Sequence, residues 1–205
     1  MRKQNSALIF SAPKNLLLGL LSVFLLPTLL FSQQRSGEHV IIAKWDFEDA
    51  DKRAIVNASG NISDYEPDEG EGVISIADGI DLFDNSIQGT GYFATGPEGN
   101  PDMASITRGW HEGVGNKAWI IELSTVGYNN ILVSGMLRSS GTGPRDFQLQ
   151  YRIEDEEWIS VPESDLILVA NNFNSITQVS LSDDCNNQER IFIRWVITTD
   201  FATNG

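Results

Sequence analysis

Rings set beside glycines, with arginines nearby, are the residues of this sequence best placed to act on another molecule. Trp110 and His111 open the glycine-rich run Trp110-His111-Glu112-Gly113-Val114-Gly115, and Tyr128 and Trp158 are further candidate rings. Arg138, Arg145 and Gln150 lie among them in sequence. An aromatic face stacks on the C–H groups of a sugar while polar neighbours bond its hydroxyls. Trp110, His111, Tyr128, Arg138 and Arg145 are therefore the candidate ligand-binding residues, and an extracellular polysaccharide or glycan is the partner they suit. Each has a blander competing role. Trp110 could anchor its own loop by packing, and Arg145-Asp146 could be a turn clamp or surface ion pair. Trp45, Trp119 and Trp195 alternate with aliphatic residues and read as core.

Catalytic chemistry is poorly provided for. The two histidines, His39 and His111, lie in no H-E-x-x-H motif, and no serine sits in a G-x-S-x-G elbow. Gly141-Thr142-Gly143-Pro144 reads as a β-turn rather than a phosphate loop, because no helix follows and proline lacks an N–H donor. Glu112 and Glu122 could form a glycosidase-like pair, but 28 acidic residues make chance pairs plentiful. Cys185 is the one cysteine, so no internal disulfide framework exists, and it reads as a small semi-buried loop residue rather than a reactive thiol. The expectation is a domain that is not itself an enzyme.

Calcium is the metal the acidic loops would suit. Asp46, Glu48, Asp49 and Asp51 cluster where a first strand ends, and Asp78, Asp81 and Asp84 cluster in a later connection. Ca²⁺ takes ~6–8 oxygen ligands, which irregular acidic loops supply. A structural Ca²⁺ site at Asp46, Glu48, Asp49 and Asp51 is the expectation; solvated acidic loops are the alternative.

The elements that position these residues are strands. Asp146 to Ile153 alternates without error: Phe147, Leu149, Tyr151 and Ile153 on one face, Gln148, Gln150 and Arg152 on the other. Period two scatters apolar residues around a helix but lines one face of a strand. The same pattern puts Trp119, Ile121 and Leu123 together, then Ile131, Val133 and Leu137, then Ile191, Ile193, Trp195 and Ile197. Residues 41–48, 73–77, 92–94, 104–108, 158–161, 166–170 and 176–181 are further strands, with a weak one at 54–57. Residues 60–72 read as a long acidic loop and 97–101 as a turn. No amphipathic helix follows residue 35. The fold class is all-β, an antiparallel β-sandwich of jelly-roll type, missing its last strand.

Compartment follows from the N-terminus. Arg2, Lys3 and Lys14 precede an apolar stretch from Leu16 to Phe31, interrupted by Pro27. That is a signal-peptide pattern, too short and too broken for a comfortable span. Residues 1–32 are expected to be the signal and 33–205 the sandwich module, secreted to the exterior or cell surface, monomeric and free of the membrane after cleavage. Removing the signal takes those three cations from a chain of net charge −14 and no carboxylate with them. So acidic a surface repels phosphate backbones, which argues against nucleic acid as a partner.

Two longer motifs carry a resemblance. They are Trp110-x-x-Gly113-x-Gly115-x-Lys117-x-Trp119 and Arg138-Ser139-Ser140-x-Thr142-Gly143-Pro144-Arg145-Asp146-Phe147-x-Leu149-Gln150-Tyr151. With Ile193-Arg194-Trp195 they resemble a secreted bacterial jelly-roll accessory module, of the kind attached to exported nucleases, phosphoesterases and sorting-domain proteins. The likeness covers residues 104–205 well and 41–103 loosely. It implies a non-catalytic binding or adhesion module. In that family the chain continues through an Asn-Gly turn into a final strand, whereas here the sequence stops at Asn204-Gly205. The alternative expectation is therefore the N-terminal part of a larger exported hydrolase, a nuclease or phosphoesterase, with its catalytic domain beyond Gly205.

Overall fold

In the computed structural model, residues 8–12, 39–46, 64–77, 93–96, 99–105, 107 and 109–205 are described. Their strands are β1 (Leu8–Ala12), β2 (Val40–Trp45), β3 (Asp64–Tyr65), β4 (Glu69–Gly70), β5 (Val73–Ile76), β6 (Phe93–Gly96) and β7 (Gly99–Ser105). They continue with β8 (Ala118–Leu123), β9 (Leu132–Arg138), β10 (Asp146–Ile153), β11 (Ile159–Ser160), β12 (Leu166–Ile167), β13 (Phe173–Ser180) and β14 (Ile191–Ile197). One sheet runs β13-β9-β1-β2-β4 and the other β11-β10-β14-β8-β5-β3, with β12 also on β10 and β6-β7 as a separate hairpin. The paired strands are antiparallel.

Alternation translates directly into two layers. Phe147, Leu149 and Tyr151 of β10, with Ile191, Ile193, Trp195 and Ile197 of β14, are buried against Ile42, Ala43 and Trp45 of β2 and Val133 and Leu137 of β9. Each such aliphatic or aromatic side chain contributes ~1.5–3 kcal/mol relative to staying in water. This is the all-β antiparallel sandwich expected from the period-two pattern. The centre of the larger sheet is its most continuous ladder: β10 pairs β14 from Phe147↔Ile197 through Ile153↔Ile191.

Polar groups inside this structure are used as staples. Thr125 has no exposed surface; its Oγ1 donates to the Cys185 carbonyl at 2.6 Å and accepts from the Gln188 N–H at 2.9 Å. Buried Ser164 donates to the Val161 carbonyl at 2.6 Å and accepts the Leu149 N–H at 3.2 Å. Cys185 is buried in the core, and burial, then the charge of Asp184, pushes its thiol up to about 12.

Three expectations on local structure are corrected. Residues 60–72 are not one loop, because β3 and β4 fall inside them. These strands are two residues each and are held by backbone pairing to β5 and β2, so no side-chain alternation was needed to form them. Gly70 has φ +84°, and a Cβ there would lie 1.9 Å from the Ile42 carbonyl oxygen, so glycine is what permits the pairing. The turn read at 97–101 is shorter than expected, because β7 starts at Gly99 and pairs with β6. β13 begins at Phe173, earlier than 176, and its register shifts between Ile176 and Val179, where Gln178 has φ 53°. That bulge scrambles the alternation on which sequence reading depends. Leu8–Ala12 pairs with β2 and β9, inside the segment read as an export signal. The weak strand at 54–57 lies outside the described residues.

Candidate functional site

The loops leaving β9 and β14 and those entering β8 and β10 meet at one end of the sandwich. They enclose a cleft of about 340 Å³, within the usual small-molecule range of ~300–1,000 Å³. Trp110 and His111 come from the loop before β8; Ser140, Thr142, Gly143 and Pro144 from the β9–β10 turn; Thr199, Asp200, Phe201 and Ala202 from the segment after β14.

Each wall is fixed by identifiable bonds. Lys117 donates from Nζ to the carbonyls of Gly109 and His111, the latter at 2.8 Å, pinning the loop that carries Trp110. The Gly115 N–H donates to the Ile197 carbonyl at 2.9 Å, tying that loop to the end of β14. Trp110 packs on the core, its ring edge-on to Phe147 with centroids 5.5 Å apart, and its Nε1 donates to Thr107 Oγ1 at 3.0 Å. The opposite wall is a small meander: Pro144 bridges Ala202, and the N–H groups of Arg145 and Thr203 donate to Phe201 and Gly143 at 3.0 and 3.1 Å. Gly143 is tightly fitted, since a Cβ there would lie 2.2 Å from Ser139 Oγ.

Arg145 and Asp146 form the clamp beneath. Arg145 Nε and Nη2 donate to the two Asp146 carboxylate oxygens at 2.7 and 2.9 Å, and Thr199 Oγ1 donates to the same carboxylate. The bonds from Arg145, then that from Thr199, hold the Asp146 carboxyl below the usual carboxylate range, against the opposing effect of burial. The Arg145 guanidinium also lies 5.1 Å from the centre of the Phe201 ring. Phe201 is 60% exposed at the cleft rim, an apolar face held in place by a cation.

The candidate residues divide three ways. Trp110 and His111 line the cleft together, and Arg145 supports its rim through Phe201. Arg138 ends β9 near the same end, but its Nε donates to the Asn171 carbonyl at 3.0 Å and it covers Phe173, away from the cleft lining. Tyr128 lies beyond the far end of β8, its N–H on the Thr125 carbonyl at 2.9 Å, part-buried against the core. It does not share a site with Trp110. Thr107, Ser140, Thr142, Thr199, Asp200 and Phe201 were not singled out from sequence; the exposed phenylalanine following the Arg-Trp strand is the signal that could have found them.

Chemically, the cleft offers hydroxyls of threonine and serine, an imidazole, a carboxylate and two rings. Among the described residues no hydrogen bond joins the His111 ring to Ser140, Thr142 or Asp200. Of the expected calcium ligands, Asp46 is described; it accepts from Lys44 Nζ at 2.6 Å, and its backbone N–H donates to Asp68. Glu48, Asp49 and Asp51, like the 78–84 cluster, lie outside the described residues. Among the described residues no group of three or more His, Cys, Asp or Glu side chains is placed to hold a metal. No family model, curated protein or solved structure matches the chain.

Proposed function

We propose that this chain is a non-catalytic, exported binding module whose ligand is an extracellular glycan seated in the cleft of Trp110, Thr142 and Phe201. The observation that carries the reading is the cleft itself. It joins an apolar ring on each side to a row of hydroxyls, the combination that recognises a sugar ring by stacking and hydrogen bonding. Its walls are held by backbone bonds and the Arg145–Asp146 clamp, so little ordering entropy is lost on binding. The signal-like N-terminus supports export, and calcium at the 46–51 acidic cluster is part of the same reading.

A glycan array probed with the purified chain, followed by polysaccharide pull-down, tests it. Capture by a neutral glycan, abolished by Phe201→Ala, is the expected result. Absence of binding to every glycan sinks the sugar assignment. For calcium, addition of EDTA should lower Tm, and an unmoved Tm removes that element.

A further inference from the structure

The outer face of the larger sheet carries a second cluster that the cleft does not use. Alternation along β10 and β14 turns Gln150, Arg152, Phe192 and Arg194 away from the core, with Gln150 opposite Arg194 and Arg152 opposite Phe192. Arg194 donates from Nε and Nη2 to Gln150 Oε1 at 2.9 and 2.6 Å. Gln150 Nε2 donates to Ser160 Oγ at 3.2 Å, and Ser160 Oγ to Gln148 Oε1 at 2.6 Å, giving a ribbon of amides and hydroxyl across the sheet. Part-buried Trp158 meets both arginines, whose guanidinium carbons lie 4.9 Å (Arg152) and 4.1 Å (Arg194) from its ring centre.

The charges here are unbalanced. Neighbouring Arg190 reaches Glu154 at 2.8 Å and Asp155 at 3.8 Å, but among the described residues neither Arg152 nor Arg194 has a carboxylate at ion-pair distance. Arg152 Nε is buried with no acceptor. In a chain with 28 acidic and 14 basic residues, two adjacent guanidiniums left without a counter-charge run against the composition. Burial, and then the charge of Arg152, brings Arg194 down to about 10, as expected where two like charges share a partly dry place.

We propose that Arg152, Arg194 and Trp158 form a binding site for one anionic group, a carboxylate or a sulfate ester, carried by a short acidic saccharide. The Nη donors that Gln150 leaves free on Arg194, with those of Arg152, supply charge-assisted bonds to such oxygens, while Trp158 holds the two guanidiniums in place and the glutamine ribbon meets the sugar. A short ligand fits better than a polyanion, because a long chain would run off the two arginines onto the surface of a protein of net charge −14 and meet its carboxylates at close range. The site extends the binding-module reading to a second place in the fold and stands independently of the cleft.

Isothermal titration of the full chain with trigalacturonate, its methyl ester and a sulfated disaccharide tests the site. The acid should bind, weaken as salt is raised, and exceed its uncharged methyl ester about tenfold or more, since charge-assisted bonds are lost. Arg152→Gln and Arg194→Gln should each weaken it about tenfold, while Phe201→Ala leaves it unchanged. Binding of the sulfated sugar alone would assign the anion as sulfate. Equal binding of acid and ester by the unaltered protein, or no binding of either charged sugar, would overturn the proposal without touching the cleft.

Discussion

Trp110 is both a packed anchor and a wall of the cleft, and substitution can separate the two roles. A fully buried tryptophan replaced by alanine costs ~3–5 kcal/mol. Trp110 is part-buried, with one edge-on contact to Phe147 and one indole hydrogen bond to Thr107. The edge contact contributes ~0.5–1.5 kcal/mol beyond area and the hydrogen bond ~1 kcal/mol, so with the lost burial Trp110→Ala should cost ~3 kcal/mol. With a urea slope of ~1–3 kcal/mol/M, the midpoint should fall by roughly 1–3 M. Trp110→Phe keeps the ring and loses the Nε1 donor, so it should cost ~1 kcal/mol. Urea unfolding followed by circular dichroism gives the stability, and titration with the array-selected glycan gives the affinity. The alanine variant should lose both, the phenylalanine variant little of either. An unchanged urea midpoint for Trp110→Ala would refute the packing argument, and unchanged glycan affinity would refute the cleft-wall role.

Thr125→Val removes the hydroxyl that joins Cys185 and Gln188 while keeping the shape; it should cost ~2 kcal/mol in urea, and Thr125→Ser should recover most of this. Cys185, buried and with its thiol pushed up to about 12, should not react with a thiol reagent in the native protein and should react fully once unfolded; rapid native labelling would contradict its place in the core. Asp146 has a depressed folded-state pKa, so its contribution is present above the ordinary carboxylate value of ~3.9 and is lost as pH falls through the folded value. Thermal melts of wild type and Asp146→Asn should therefore converge as pH is lowered below about 4, and a gap that does not narrow would reject the Arg145–Asp146 clamp.

Strands were legible in the sequence wherever one face meets the core and the other meets water. β10 matches its expected bounds and faces because Phe147, Leu149 and Tyr151 are buried while Gln148, Gln150 and Arg152 are not. Strands set by backbone pairing alone, such as β3 and β4, leave no side-chain signature, and the bulge in β13 erases one. The same logic governs the site. Trp110 and His111 adjoin in sequence and stay together in the cleft, whereas Tyr128 is separated from them by the length of β8. Phe201 and Thr142 line one cleft because Pro144 bridges Ala202 and backbone bonds join the flanking residues, a pairing of segments 58 residues apart that no local pattern announces.

The central claim is that a sugar occupies the cleft, and the indole N–H signals of the five tryptophans test it most directly. On titrating a neutral glycan selected by array, the Trp110 signal, assigned from Trp110→Phe, should shift progressively and saturate. The signals of buried Trp45 and Trp195 should stay in place. Saturable glycan binding with Trp110 unmoved, or no shift with any glycan, would contradict the account.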